Sequence, residues 1–343
     1  MKRFASLLLG LSLSLPCSAE YVRGELLVGN KSDDTVWRLS LDDGSKLGEF
    51  ATGPGPHEIA VSPDGKTVVV TDYGHQDAGN SLTVYDPVAG EVTGSIDLHR
   101  HGRPHGIRYR LDGRHLLVTT ESSWRLLTVD MPMALQAHIR SIGGFDVGPG
   151  VGHMVALSQD DTTAYVSKIA AGTVVRVDLT GSGVTLEMPA GAGAEGIEVA
   201  PDGTVWVTNR ADDTVTVHDP DSLEILATLE SKGFPIRVVF TPNRKSALVT
   251  NATAGTLSVF DAQSRELELT LDLVPEGETF NDTLLGQGAL PIGVIVDPAR
   301  PRAYVAISGA NRIAVVDTVE WKVIGYWQTG NQPDALGIVL NRD

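Results

Sequence analysis

The strongest constraint on the fold is a phrase that recurs seven times along the 343 residues. Each copy starts with a loop that usually contains Pro or Gly, continues into a short apolar run and ends in a turn. The copies begin at Pro56, Pro104, Gly152, Ala194, Pro235, Pro291 and Pro333, and successive copies are 48, 48, 42, 41, 56 and 42 residues apart. Units of this length stack as an array, because each unit buries its apolar face against its neighbours.

Each unit contains further short runs that are rich in β-branched and aromatic residues. The second run ends in a small or polar residue, as in Val205 to Asn209, and the third closes on an acid such as Asp86 or Asp219. Such runs are typical of strands and too short for helices. We expect the acids to accept backbone hydrogen bonds in the following turn. Four strands in about 40–45 residues predict the blade of a β-propeller.

The two ends of the chain supply complementary parts of one blade. Residues 26–30, 35–41 and 47–51 read as second, third and fourth strands without a first, whereas residues 333–340 read as a first strand with nothing after it. The sequence therefore predicts an all-β, seven-bladed propeller over residues 20–343. Pairing of residues 335–340 with residues 26–30 would close the ring and leave no exposed strand edge within it.

The first 19 residues have the order of a secretory signal. Lys2 and Arg3 precede an apolar segment over residues 4–15, and small residues up to Ala19 suit cleavage before Glu20. We therefore expect a soluble protein in the periplasm or outside the cell. Lipidation of Cys17 is the alternative, although residues 14–16 make a poor lipobox. Cys17 is the only cysteine, so the mature chain has no disulfide, thiolate metal site or cysteine nucleophile.

The formal net charge of −16 bears on partners. A surface of this charge repels nucleic acid and anionic lipid. No later apolar stretch is long enough to span a membrane. We expect a small molecule or a periplasmic protein as the partner.

The second strands carry a recognisable motif. Val207-Thr208-Asn209 and Val249-Thr250-Asn251 make the chain resemble the YVTN β-propeller repeat family, while residues 303–307 depart from the motif at the last two positions. The resemblance covers essentially the whole mature chain and implies an exported bacterial seven-bladed propeller. It implies no single reaction.

The second residue of each first strand is the main candidate for chemistry. These residues are His57, His105, His153, Glu195, Ile236, Ile292 and Asp334. In a propeller they surround one mouth of the central channel, and imidazoles with a carboxylate suit Zn²⁺, Fe²⁺ or Cu²⁺. The sequence predicts a divalent-metal site formed by His57, His105, His153 and Glu195. The alternative is that each histidine holds a neighbouring blade in place.

Charged residues occur in the same strands where apolar ones are expected. Glu58, Arg108, Glu198 and Arg237 are out of phase with core positions such as Ile59. They are candidate ligand-binding residues, with Arg237 the best anchor for a carboxylate or phosphate. Salt bridges across the channel are the alternative.

The ends of the second strands add further candidate ligand-binding residues near the mouth. These are Asp72, Glu121, Lys168 and Arg210.

One blade carries a second resemblance. Pro104-His105-Gly106-Ile107, followed by Thr119-Thr120-Glu121, is similar to a blade of virginiamycin B lyase, which implies a metal-dependent lyase with a His/Glu pair. Three functions remain open. The first is a propeller that binds a small ligand, metal or partner protein, and the second is a metal-dependent lyase, lactonase or oxidase. The third is an accessory or scaffold protein that uses the rims of its blades. Residues 274–290 account for the longest step and predict a loop at the mouth, either a lid or surface variation.

Overall fold

A computed structural model describes residues 23–131, 142–283 and 285–340. The predicted signal peptide, residues 1–19, lies outside this part. The described residues form seven four-stranded antiparallel sheets, which confirms the seven-bladed β-propeller. No helix among them is long and apolar enough to cross a membrane.

The strands follow the order predicted from the repeats. The first three are β1 (Gly24–Asn30), β2 (Thr35–Ser40) and β3 (Lys46–Ala51). Blade 1 contains β4 (Pro56–Val61), β5 (Val68–Gly74), β6 (Ala78–Asp86) and β7 (Glu91–Asp97). Blade 2 contains β8 (Pro104–Tyr109), β9 (His115–Thr120), β10 (Arg125–Asp130) and β11 (Ile142–Asp146). Blade 3 contains β12 (Gly152–Leu157), β13 (Thr163–Lys168), β14 (Thr173–Asp178) and β15 (Gly183–Pro189).

The later blades repeat this pattern. Blade 4 contains β16 (Ala194–Val199), β17 (Val205–Asn209), β18 (Thr214–His218) and β19 (Ile225–Glu230). Blade 5 contains β20 (Pro235–Phe240), β21 (Ser246–Asn251), β22 (Thr256–Asp261) and β23 (Leu267–Asp272). A small hairpin, β24 (Asp282–Thr283) and β25 (Gly286–Gln287), precedes blade 6. Blade 6 contains β26 (Pro291–Val296), β27 (Arg302–Ile307), β28 (Arg312–Asp317) and β29 (Lys322–Gln328).

Blade 7 joins the two ends of the chain. The last strand, β30 (Pro333–Leu340), pairs antiparallel with β1, with Leu26 opposite Ile338 and Val28 opposite Leu336. The predicted closure is therefore confirmed.

The core lies between the blades rather than at the ring's centre. Seven apolar clusters of described residues each join two neighbouring blades and together run round the ring. Between blades 4 and 5, for example, Trp206 is fully buried and packs edge-to-face on Phe240, with ring centroids 5.4 Å apart. Burial of a side chain this large stabilises the interface by roughly 3 kcal/mol.

A hydroxyl on the second strand ties each of blades 2 to 5 to the next. Thr208 accepts a hydrogen bond from the backbone N–H of Gly196 in its own blade at 2.8 Å, and donates to the carbonyl of Ile236 in the next at 3.1 Å. Thr119, Ser167 and Thr250 make the same two bonds. This bridge gives the Thr or Ser of blades 2 to 5 a structural role, and it fixes the second residue of the next first strand.

The acids that close the third strands act as turn residues. Asp86 Oδ1 accepts hydrogen bonds from the backbone of Val88 and Ala89 at 2.8 and 2.9 Å. Asp219 makes the same contacts with the two backbone N–H groups of its own turn. The prediction for this position is confirmed.

Candidate functional site

Three histidines stack in a row at one end of the channel. The ring centroids of His57 and His105 are 4.0 Å apart, and those of His105 and His153 are 3.6 Å apart. All three are buried. They occupy the same position in blades 1, 2 and 3, so the propeller itself brings them together.

This close approach depends on Gly106, which follows His105. A Cβ at Gly106 would lie 2.8 Å from the carbonyl oxygen of His153 and from the Cα of Met154. Thr119 then donates to that same His153 carbonyl at 2.5 Å. Glycine and threonine thus allow the inner strands of blades 2 and 3 to approach closely enough for the imidazoles to stack.

The central histidine, His105, has no polar partner among the described residues. His105 is only 1% exposed, and neither its Nδ1 nor its Nε2 makes a hydrogen bond. Buried polar groups are paired in the great majority of cases, and an unpaired one costs about 1–3 kcal/mol. His105 therefore has two ring nitrogens directed into a buried site without a protein partner.

His57 is held on the outer side of the row. Its Nε2 lies 2.9 Å from the Nζ of Lys31, which follows β1, and its Nδ1 lies 3.1 Å from Oδ2 of Asp334. Lys31 also lies 3.6 Å from Asp334. The other carboxylate oxygen of Asp334, Oδ1, is buried without a hydrogen-bond partner among the described residues.

His153 lies between two carboxylates. Its Nδ1 is 2.7 Å from Oε1 of Glu121, and its Nε2 is 3.4 Å from Oε1 of Glu195. The Tyr73 hydroxyl donates to the second oxygen of Glu121 at 2.7 Å, and Arg210 lies 2.8 Å from the second oxygen of Glu195. Both carboxylates are therefore oriented by a second partner.

The electrostatic environment differs along the row. Burial lowers the pKa of His57 and His105 well below the usual value, and for His105 the neighbouring His153 adds to the effect. Burial would also lower the pKa of His153, but its contacts with Glu121 and Glu195 outweigh burial and raise the pKa. Two imidazoles are consequently held neutral, which is the form that binds a metal ion.

Two overlapping sets of side chains satisfy the spacing of a metal site. The ligand atoms of His57, Glu58 and His105 lie within 4.8 Å of one another, and so do those of His105, Glu121 and His153. His105 is common to both sets. Nitrogen and carboxylate oxygen donors in this combination suit Zn²⁺, Fe²⁺ or Cu²⁺.

A charged belt of Glu58, Arg108, Glu198 and Arg237 crosses the channel below the histidines. Arg237 Nη2 lies 2.6 Å from Glu58 Oε1, its Nη1 lies 3.6 Å from Glu195, and Arg108 Nη2 lies 2.9 Å from Glu198 Oε2. The Arg237–Glu58 pair links blades 5 and 1, and the Arg108–Glu198 pair links blades 2 and 4. The four residues therefore form salt bridges across the channel, which was the alternative to ligand binding in the sequence analysis.

Asp72 and Lys168 are not part of the histidine site. Asp72 accepts hydrogen bonds from Ser81 and Thr83 in its own blade. Lys168 Nζ lies 3.0 Å from the Val147 carbonyl and 3.0 Å from Glu187. Both occupy the same position of the repeat, opposite the first residue of the first strand.

Asn209 and Asn251 occupy that same position of the repeat. Each fastens the second strand to the third, by donating to a pair of hydroxyls there. The position is therefore one that holds a blade together.

Sequence reasoning missed Lys31 as a site residue. It follows a second strand in the way that Tyr73, Glu121 and Arg210 do, and all four reach the histidine row or its carboxylates. Alignment of the N-terminal strands with the other repeats would have placed Lys31 beside the histidines. Asp334 was recognised at the correct position but was not included among the candidate ligands.

The opposite side of the mouth is apolar. Ile236, Ala252 and Leu290 form a buried cluster with Phe234 and Ile292 packed against it. Leu290 ends the long segment over 274–290, which contains the β24–β25 hairpin and is held to blade 6 through Glu278 and Arg312, 2.5 Å apart. The mouth thus has a polar side and an apolar side, which is the usual composition of a ligand site.

Comparison with known proteins shows the fold alone. No protein-family model and no curated protein matches the chain. Among solved structures, the periplasmic gluconolactonase PpgL of Pseudomonas aeruginosa is 18% identical, with a TM-score of 0.71 over 92% of this chain and 99% of that one. Hydrazine synthase of Kuenenia stuttgartiensis is 20% identical, with a TM-score of 0.69 over 84% and 96%. Apo AztD of Citrobacter koseri is 12% identical, with a TM-score of 0.67 over 94% and 99%.

Proposed function

We propose that this protein is an exported, YVTN-type propeller that binds a divalent transition-metal ion at the mouth of its channel. His105 is the central ligand, His57 and His153 are the flanking ligands, and Glu58 or Glu121 supplies a carboxylate. The single observation that supports this most strongly is the buried His105 with two unpaired ring nitrogens. A metal ion bound to the unprotonated ring nitrogen replaces the hydrogen bond that this nitrogen lacks.

The surrounding charges favour a cation at this place. Glu121 and Glu195 contact His153, and Asp334 contacts His57. Two of the three imidazoles are held neutral by burial, so binding to them requires no release of protons. Lys31 contacts both His57 and Asp334, and Arg210 contacts Glu195.

The test is the metal content of the protein purified without a histidine tag. We expect roughly one Zn²⁺, Fe²⁺ or Cu²⁺ ion per chain by elemental analysis. After chelation, one of these ions should restore a higher melting temperature. The variant His105→Ala should lose the ion, whereas His115→Ala, a surface histidine paired with Asp112, should keep it. Glu58→Gln and Glu121→Gln decide which carboxylate binds.

Two results would contradict the proposal. One is a purified protein without metal whose melting temperature no divalent ion raises. The other is His105→Ala with the metal affinity of the unaltered chain, provided that the variant still unfolds cooperatively in chelator. Mass spectrometry of the exported form tests the export part separately, with Glu20 expected as the first residue.

A metal-dependent lactonase is the second candidate function. Lys31 and Arg210 border the site and provide positive charge for an oxyanion, and one solved structure of this fold is a periplasmic gluconolactonase. Hydrolysis of gluconolactone by the metal-loaded protein, lost in His105→Ala, would favour the lactonase over a binding function.

A further inference from the structure

The channel contains a second chamber on the other side of the charged belt. This cavity has a volume of about 610 Å³, and its walls extend to the loops around Pro63, Pro242 and Pro298 on the face opposite the histidines. Cavities that hold small molecules are typically about 300–1,000 Å³. The chamber is therefore large enough for a ligand and is reached from a different side than the metal site.

The walls of this chamber are apolar. Val61, Val199, Phe240, Val296 and Leu340 come from five different blades, line the cavity and remain only half-buried. Apolar side chains that keep exposed surface in one concave site gain free energy when an apolar group covers them. The walls thus favour a ligand with a hydrocarbon body.

The floor of the chamber is formed by the charged belt, and its two arginines differ. Arg237 is buried and engaged by Glu58, by Glu195 and by the carbonyl of Ile236. The Arg108 side chain is 35% exposed, and within the described residues its guanidinium has Glu198 as its one hydrogen-bond partner. Because a guanidinium has five N–H donors in a planar fork, Arg108 retains donors that face the cavity.

We propose that this chamber binds a small organic anion, a monocarboxylate with an apolar body, and that Arg108 holds its carboxylate. Glu198 occupies one edge of the guanidinium, and the ligand carboxylate takes the other. The hydrocarbon body lies along the half-buried wall residues. The chamber lies on the other side of the belt from the histidine row, and Glu58 and Asp334 border both sites.

The experiment measures binding of butanoate, hexanoate and octanoate by calorimetry, each beside the alcohol of the same length. We expect carboxylates to bind at least about tenfold more tightly than the matched alcohols, because a charged hydrogen bond is lost in the alcohol. Each added methylene should strengthen binding about threefold to fourfold until the cavity is filled.

Two substitutions of opposite expected sign assign the binding to Arg108. Arg108→Gln should weaken carboxylate binding at least about tenfold and leave alcohol binding unchanged. Glu198→Gln should strengthen carboxylate binding severalfold, because it removes the anion that competes for the guanidinium. Arg176→Gln is the matched control, since Arg176 lies on β14 against Pro220 and Asp221. His105→Ala should leave binding unchanged, which separates this site from the metal site.

Three outcomes would overturn the proposal. The first is that no carboxylate binds, or that the alcohols bind as tightly as the carboxylates. The second is unaltered carboxylate affinity in both Arg108→Gln and Glu198→Gln, with cooperative melting of each variant. The third is loss of binding in His105→Ala, which would place the anion at the metal.

Discussion

Two buried histidines show how the mouth of the channel differs from the interior of a blade. His218 lies in β18 with no exposed surface, and its two ring nitrogens contact the Leu223 carbonyl at 2.8 Å and the Thr216 hydroxyl at 2.9 Å. His105 is equally buried and has no hydrogen-bond partner among the described residues. The imidazole of His218 is thus satisfied within its blade, whereas that of His105 at the mouth keeps a donor and an acceptor that a ligand can use.

The same contrast separates two positions of the repeat. The hydroxyl on the second strand makes identical bonds in blades 2 to 5. The second residue of the first strand changes from His to Glu to Ile to Asp around the ring. The repeated position thus joins the blades, whereas the variable one differs from blade to blade. Three experiments test the contrast between the mouth and the rest of the ring.

The largest expected effect is on ring closure. Deleting residues 333–343 removes β30, the partner of β1, and opens the apolar cluster that joins blade 7 to blade 1. We expect the melting temperature to fall by more than about 10 °C, with loss of cooperative unfolding. Circular dichroism melting measures this. If the truncated chain has the same melting temperature as the full chain, closure does not hold the ring together.

The second experiment compares the two histidines directly. His218→Leu leaves the buried Leu223 carbonyl without its partner and removes one hydrogen bond of the Thr216 hydroxyl. It should lower the free energy of unfolding by about 2–3 kcal/mol. His105→Leu removes a group that has no partner, so the metal-free protein should keep its stability or gain about 1 kcal/mol. Urea unfolding in chelator gives both values. Equal losses in the two variants would remove the distinction between mouth and interior.

The smallest expected effect concerns Asp72, an acid at a position where blades 4 and 5 have Asn. Burial outweighs the hydrogen bonds donated by Ser81 and Thr83 and raises the pKa of Asp72 from 3.8 to about 6. The folded state therefore binds the proton more tightly than the unfolded state. Protonated Asp72 therefore contributes to the free energy of unfolding below about pH 4, and this contribution is lost as the pH rises through about 6.

Asp72→Asn should remove this pH dependence. At pH 7 the variant should be more stable than the unaltered chain by about 1–3 kcal/mol, and near pH 4 the two should be similar. Urea unfolding at both pH values measures the difference, with Asp86→Asn on the exposed turn as control. A variant that is less stable at pH 7 would mean that the carboxylate's hydrogen bonds outweigh its burial.

The fold could be predicted from the sequence because the same strand pattern recurs in seven repeats. Strand order, closure by residues 333–340 and the role of the acids in the turns all follow from patterns that recur. The meeting of His57, His105 and His153 also followed, since equivalent positions of consecutive blades must be neighbours in space.

The partners within the site could not be predicted. Arg237 contacts Glu58 across the channel, 179 residues away, and no local pattern indicates which charge meets which. Asp72 and Lys168 were predicted near the mouth as candidate ligand-binding residues, but side-chain direction alternates along a strand. The residue at the Asp72 position contacts the third strand of its own blade, and the next residue in the repeat, such as Lys31 or Glu121, contacts the histidine row.

The pairing of β1 with β30 also sets the order of events during synthesis. Asn30 is synthesised early, but it can pair with its partner Pro333 only after the ribosome has reached the last repeat. Blades 1 to 6 can form from contacts local in sequence, but the unpaired edge of β1 and the apolar face beside it stay exposed until almost the whole chain has been made. Contacts of such long sequence separation form slowly, and exposed strand edges aggregate in the meantime. The interval before closure is therefore the stage at which a chaperone would protect this chain most.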